Sequence, residues 1–519
     1  MFGVLLWKEI RDHLMTFRFG AVLVTTFVLV IVSIWILGDD YIRRRNTYNR
    51  LSEEAANEVT EYRIPSHINP SVHYPPVSLS IFVQGKSKCL GNVVTVNRWE
   101  VPRDASDSLT DNELLAALTT FDLLAIFTFV ISLFGVLLSY DSLSGERERG
   151  TLKMLYNSGS SRVSIFITKF LAGTFVLFLP LVVSLLCVLI ILQFVFDISF
   201  TQNQWVAISS ILFAGIVFGS LFIAIGMLCS SIFKRSSTSL ALTLLTWTFA
   251  VILIPNVSTS LAPSLHPLPS PSEIDAFDKT TREDAIAEGR EFVSRVRDEE
   301  QLNNVGFWGT IGANSYGNSI RWGTRDAFVL AERIISVCEP MWQERAERVW
   351  RLVREHEAEL EKQARLADLL NSLSPAYLLK KVCTTLANTD YETYARFMER
   401  TRRFRREFLD DLENKGYFSD NAVAFVTQIP WDRRLSDEEF MQMEMEFIDR
   451  HGEGTGERWE DRISEYNWPQ LPSDIVPAFV FDASQPQFHT ALVPFAVLFL
   501  LVVITFVSGV FAFIRYDIR

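Results

Sequence analysis

Val163–Phe196 reads VSIFITKFLAGTFVLFLPLVVSLLCVLIILQFVF, with Lys169 its one charged residue. A stretch this apolar is either the centre of a large soluble core or a bilayer crossing, for which about 20 apolar residues suffice. The rest of the chain decides. Comparable runs occupy Phe19–Leu37, Leu114–Tyr140, Trp205–Cys229, Thr238–Ile254 and Thr490–Ile514. Their near-freedom from charge is what a cost of about 2.5–3.5 kcal/mol per charge at the bilayer centre selects. The expected fold is an all-α polytopic membrane protein with six transmembrane helices. Val163–Phe196 is long enough to tilt, or to break at Pro180.

Composition agrees. The 519 residues carry a net charge of −12, yet 49% are apolar. The two are segregated, since tracts such as Glu344–Arg365 are charged almost throughout. The acidic balance gives no basis for a nucleic-acid partner. The N-terminus is not a signal peptide: Lys8, Glu9, Arg11 and Asp12 interrupt its apolar stretch, and no small-residue cleavage site follows Leu37. Met1–Phe17 reads instead as an amphipathic interfacial helix, with Leu5, Leu6 and Trp7 towards lipid.

Six crossings put both termini on one side, and short connections set which side. Lys8, Arg11, Arg18, Arg147, Arg149, Lys153, Arg162, Lys234, Arg235, Arg515 and Arg519 fall on the side of the termini, while the loop Asp197–Gln204 opposite has no Lys or Arg. Both termini and the 141–162 loop are therefore expected in the cytoplasm, and the chain in the cell inner membrane. Arg43, Arg44 and Arg45 argue the other way, but they open a longer segment beside Asp39 and Asp40.

Two large segments then lie outside. Residues 39–113 hold a polar start and an alternating stretch, SVHYPPVSLSIFVQG and VVTVNRWEV, that predicts short strands. Residues 255–487 enter through the proline-rich APSLHPLPSPSE, with Ser270 or Ser272 as a helix cap, and are mainly helical by period. Arg325–Leu373 predicts one very long charged helix, with a break near Pro340 as the alternative, and Ala376–Asn414 predicts further helices. Trp308, Trp322 and Trp342 are expected in the packing of this domain.

Recognisable chemistry is sparse. Gly312–Gly317 lacks the lysine of a phosphate-binding loop, and HExxH, CxxC and GxSxG do not occur. His67 and His73 have no third ligand nearby, so no metal site is expected. No charged residue sits mid-span with an evident partner, and Asp122 serves to cap the second span or face an aqueous cavity. Of Cys89, Cys338 and Cys383, which lie outside the spans, the sequence cannot say which two would pair.

One short segment stands out. Leu143–Arg162, LSGERERGTLKMLYNSGSSR, interleaves Glu146, Arg147, Glu148 and Arg149 between two spans and bends at Gly150. Thr151–Tyr156 then predicts a short amphipathic helix, with Leu152, Leu155 and Tyr156 on one apolar face. Such a helix suits a groove on another protein. An ordinary surface helix is the plainer reading.

These residues resemble the ABC-2-type (type V) permeases, membrane subunits of ATP-binding-cassette exporters. The pattern is carried by Glu146, Glu148, Gly150, Thr151, Leu152, Leu155, Ser158, Arg162 and Lys169. The family usually has Pro in the turn where this chain has Gly159-Ser160-Ser161. The branch with a large helical insert before the last span is similar at Leu373-Ser374-Pro375-Ala376, at Thr389-Asp390 and in the helix Tyr391–Phe408. The resemblance implies a non-catalytic subunit without a cofactor of its own, ATP and Mg being bound by a separate cytoplasmic ATPase dimer. It implies a second permease subunit, identical or related. It makes Glu146–Tyr156 the coupling helix, with Glu146 and Glu148 contacting basic residues of the ATPase and Arg162 beside them. The outer domain would recruit substrate, form a lid or bind a periplasmic partner, with membrane lipid around the spans. The alternative is a mechanotransmitting subunit that drives an outer partner and moves nothing through itself.

Overall fold

The computed structural model describes residues 2–61, 65–86, 90–106, 121–152, 161–268, 270–299, 325–419 and 474–515. Among them six helices are long and apolar enough to cross a membrane, and the chain is an all-α polytopic membrane protein. They are span 1 (Phe17–Glu61), span 2 (Leu123–Glu148), span 3 (Arg162–Phe194), span 4 (Gln202–Ile232), span 5 (Ser236–Leu265) and span 6 (Phe488–Arg515). The bundle has a terminal face, where the chain begins and ends, and an insert face opposite.

Span 1 does not stop where its apolar run stops at Leu37. The helix continues to Glu61 through ion pairs one turn apart, Asp39–Arg43 and Asp40–Arg44, both at 2.9 Å. The three arginines that read as a loop opening therefore lie on a helix. Span 2 opens at Leu123, and the residues before it, 107–120, lie outside the described residues. Asp122 is its cap: the carboxylate accepts from the Ala125 amide at 2.8 Å and from Gln84 N at 2.9 Å.

Span 3 runs unbroken through Pro180, which lacks the N–H its turn needs. Burial among neighbouring spans holds it, and Ser184 Oγ donates back to the Pro180 carbonyl at 2.6 Å. Span 4 is the most enclosed of the six spans, and its glycines explain how closely it is approached. A Cβ on Gly215 would come within 2.2 Å of the Phe127 ring of span 2, and one on Gly219 within 2.6 Å of Phe178 of span 3. Spans 2 and 5 each contain a π-helical segment, Ile126–Ile131 and Phe249–Leu253. The two spans meet where Trp247 Nε1 donates to Ser132 Oγ at 2.8 Å.

On the insert face the first segment forms a two-stranded antiparallel hairpin, Ser71–His73 against Val93–Thr95, with Val72 opposite Val94. The SLSI stretch predicted as strand is instead a buried turn of 3-10 helix, Ser78–Ile81, over the bundle. The helix Arg325–Asn371 passes Pro340 without a break. It packs against the helix Pro271–Glu299, with Trp342 buried, whereas Trp308 and Trp322 lie outside the described residues. A buried ion pair and buried hydrogen bonds join the two insert segments: Arg98 Nη1 meets Glu339 at 2.7 Å, and Arg405 donates to the carbonyls of Asn97 and Arg98 at 3.0 and 2.6 Å. Burial pushes the Arg405 guanidinium down to about 10, with Glu347 opposing. Cys338 and Cys383 are both buried, and Cys383 is a free thiol.

The insert is anchored to the bundle by the helix Pro375–Ala387, which packs against spans 4 and 6. Its cap Ser374 donates to the Ala250 carbonyl inside the π segment of span 5, at 2.6 Å. Its other end closes on Asn388 in the left-handed conformation (φ 54°), whose amide donates to Ala483 O at 3.0 Å.

Candidate functional site

The charged end of span 2 and the residues after it fold under the terminal face. The chain turns at Tyr140–Leu143 and enters a short helix, Ser144–Glu148. Ser230 of span 4 receives that turn: its hydroxyl accepts from Leu143 N at 3.0 Å and from Ser144 N at 2.9 Å. Gly150 leaves the short helix at φ +74°, a conformation glycine adopts without strain. The chain then reaches Leu152, whose side chain is buried in the bundle core.

Glu146, Arg147 and Glu148 each have a defined direction. Glu146 turns inward and meets Lys169 Nζ of span 3 at 2.6 Å. The same ammonium meets Glu9 of the N-terminal helix Phe2–Leu14 at 3.1 Å. All three are largely withdrawn from solvent, Lys169 and Glu9 at 6 and 8% side-chain exposure. A buried ammonium shared by two carboxylates is strong only while all three are present, because each desolvated charge depends on the others.

Arg147 donates to the carbonyls of Ser231 and Phe233 at 2.9 and 3.1 Å, meeting groups that the end of span 4 leaves open. Glu148 accepts from Ser236 N and Ser236 Oγ, both at 2.9 Å. It caps span 5 from outside, where the cap residue Arg235 supplies no side-chain bond, and a carboxylate suits the positive end of a helix. Arg149, Gly150 and Thr151 are exposed. Leu155 and Tyr156 lie outside the described residues. Arg162 Nη1 donates to Ile514 O at 2.6 Å, tying the start of span 3 to the end of span 6.

Two further contacts complete the node. Arg18, at the start of span 1, pairs with Asp141 at 3.0 Å, donates to the Tyr140 hydroxyl at 3.0 Å and lies over its ring. His13 stands near Glu9 and Lys169, and burial lowers its pKa against the opposing charge of Glu9. The segment Tyr140–Arg149 thus bonds to spans 1, 3, 4 and 5, Lys169 extends the node to the N-terminal helix through Glu9, and Arg162 adds span 6.

The family model for the ABC-2 family transporter protein matches residues 4–518. The chain belongs to the ABC-2 transporter family. Comparison with the curated proteins gave no match. For a permease of this family the node has a simple reading: it is the part of the membrane subunit in which the terminal-face ends of the spans are bonded together. Sequence reading marked Glu146 to Arg162 but not Glu9, Arg18, Asp141, Ser230 or Ser236. The signal available was Lys169, a lone ammonium about two turns inside an apolar span, which requires a counter-charge.

Proposed function

We propose that this permease takes ATP-driven motion from a separate cytoplasmic ATPase dimer through the segment 146–156. It works as an exporter subunit beside a second permease, with both termini cytoplasmic in the inner membrane. The observation that carries this is the shared contact of Lys169 with Glu9 and Glu146. Through it, with Arg147 and Glu148, a push on the short helix is felt by several spans together rather than absorbed in a loose loop. The exposed run Glu148–Thr151 is the surface offered to the ATPase. Glu146 and Arg147 hold that surface to the bundle.

The test is to purify the permease with its ATPase and to place single cysteines at Arg149 and Thr151. Cross-linking to the ATPase, together with loss of permease-stimulated ATP hydrolysis in the cross-linked species, supports the reading. No cross-link in the presence of a bound ATPase refutes it.

A mechanotransmitting subunit is a second reading, favoured by how directly spans 1 and 5 continue into the insert. Span 1 runs on to Glu61, and beyond span 5 His266 meets Glu359 at 3.0 Å. Spin labels on the insert and on the terminal face separate the two readings. Movement of the insert with ATP, without an aqueous path along spans 2 and 5, supports transmission over export.

A further inference from the structure

A cleft of about 500 Å³ opens at the insert end of the bundle, between spans 4 and 6 and the anchoring helix Pro375–Ala387. That volume is in the range of small-molecule sites. Its walls are Trp205, Val206 and Phe213 of span 4, Ala491 and Phe495 of span 6, and Val382 and Leu386 of the anchoring helix. Ser209 and Ser210 also line it, but their hydroxyls donate to the Trp205 and Val206 carbonyls at 2.9 and 2.7 Å, which leaves the wall effectively apolar. The polar end is Gln202, exposed at the start of span 4.

Two features identify the occupant. The mouth lies between two membrane spans, so what enters comes from the hydrocarbon: a lipid chain or another helix. The depth decides between them. From Gln202 to Phe213 the wall rises about 16 Å, close to half of a roughly 30 Å hydrocarbon core. There the cleft meets the paired rings of Phe213 and Phe495, whose centroids are 5.7 Å apart. A crossing helix from a second copy needs a groove running past that floor, whereas one acyl chain of a single leaflet ends there.

We propose that this cleft binds one acyl chain of a phospholipid from the insert-side leaflet, with the glycerol end near Gln202. The chain lies against Val382 and Leu386, on the helix that carries the Ser374 and Asn388 anchors. The lipid is thereby part of how the insert seats on the bundle. This inference rests on the cleft between spans 4 and 6 and the anchoring helix, and is independent of the coupling role.

The full chain is reconstituted in phosphatidylcholine nanodiscs containing phosphatidylcholine with a diazirine at mid-chain, irradiated, and its adducts mapped by mass spectrometry. Val382 and Leu386 are 2 and 3% exposed and are reached only through the cleft, whereas Leu500 and Ile504 are 55 and 54% exposed and report the surrounding lipid. The expected result is adducts at all four positions in the native chain. In Ala491→Phe the adducts at Val382 and Leu386 are lost while Leu500 and Ile504 label as before. Ser210→Leu, a milder filling, reports the same loss if Ala491→Phe does not fold. Labelling of Leu500 and Ile504 alone in the native chain overturns the proposal, as do unchanged adducts in a folded, filled variant. So does efficient disulfide formation between two copies of Ala491→Cys, which places a second chain in the cleft.

Discussion

Lys169 Nζ stands 2.6 Å from Glu146 and 3.1 Å from Glu9, so one ammonium joins a loop helix, the N-terminal helix and a membrane span. The three residues are far apart in sequence. Removing the shared charge leaves two carboxylates facing each other in a site closed to water.

Lys169→Met is therefore expected to lower stability by about 3–5 kcal/mol, the cost typical of stripping a buried ion pair of one partner. Thermal unfolding of the detergent-solubilised permease measures it. The triple variant K169M/E9Q/E146Q removes the stranded charges and is expected to recover most of the loss. If the triple variant is no more stable than Lys169→Met, the charges are not coupled.

Glu148 acts locally. Glu148→Ala is expected to leave the melting temperature nearly unchanged and to speed hydrogen exchange of the Ser236–Ser239 amides, since the carboxylate accepts from Ser236 N and no side chain of the preceding Arg235 replaces it. Exchange mass spectrometry reads this directly. Equal protection with and without Glu148 would show that span 5 needs no external cap.

His13 supplies a pH dependence. Burial holds its folded-state pKa below the ordinary 6.5, against the pull of Glu9, Asp141 and Asp12 and with the help of Lys169. As pH falls below 6.5 towards that depressed value, the unfolded chain takes the proton before the folded one, and stability declines. Above 6.5 the contribution is complete. Melting temperatures between pH 7.5 and 5, a range of about 2.5 units around the histidine value, are expected to fall less steeply in His13→Gln than in the native chain. Identical slopes would exclude His13 as their source.

Gly215→Ala tests the closeness of spans 2 and 4. The added methyl would lie 2.2 Å from Cε1 of Phe127, a fully buried ring with little room to retreat. The expected loss is about 1–3 kcal/mol, as for overpacked cores, with partial recovery on adding Phe127→Leu. A Gly215→Ala protein that melts like the native chain would place the two spans further apart.

Much of the fold was legible because bilayer crossing imposes a coarse and repeated signal. Runs such as Trp205–Cys229 announce themselves by length and by the lack of charge. Their ends are another matter: span 1 continues past Leu37 because Asp39–Arg43 and Asp40–Arg44 are spaced for a helix, a weak signal beside the loss of hydropathy. Pro180 and Pro340 read as possible breaks, yet the surroundings of both keep the helix whole. At the site, the GERERG residues were legible as unusual, but their partners were not. Nothing in local spacing brings Glu146 to a lysine 23 residues later, or Glu148 to Ser236, because folding of separate spans makes those neighbours. Arg162 was marked by family pattern, and its partner, the Ile514 carbonyl, leaves no trace in a side-chain sequence.

The unbroken helix Phe17–Glu61 has a mechanical consequence. At 45 residues it is about 67 Å long, more than twice the thickness of a hydrocarbon core. Arg18 grips one end of this mast at Asp141, beside the Glu146–Lys169–Glu9 clasp. Pivoting there by about 5° swings the far tip by about 6 Å, so a sub-ångström adjustment near the fulcrum becomes a displacement of several ångströms at Glu61. The molecule carries a lever arm with its short end among the charges and its long end in the water beyond the opposite headgroups.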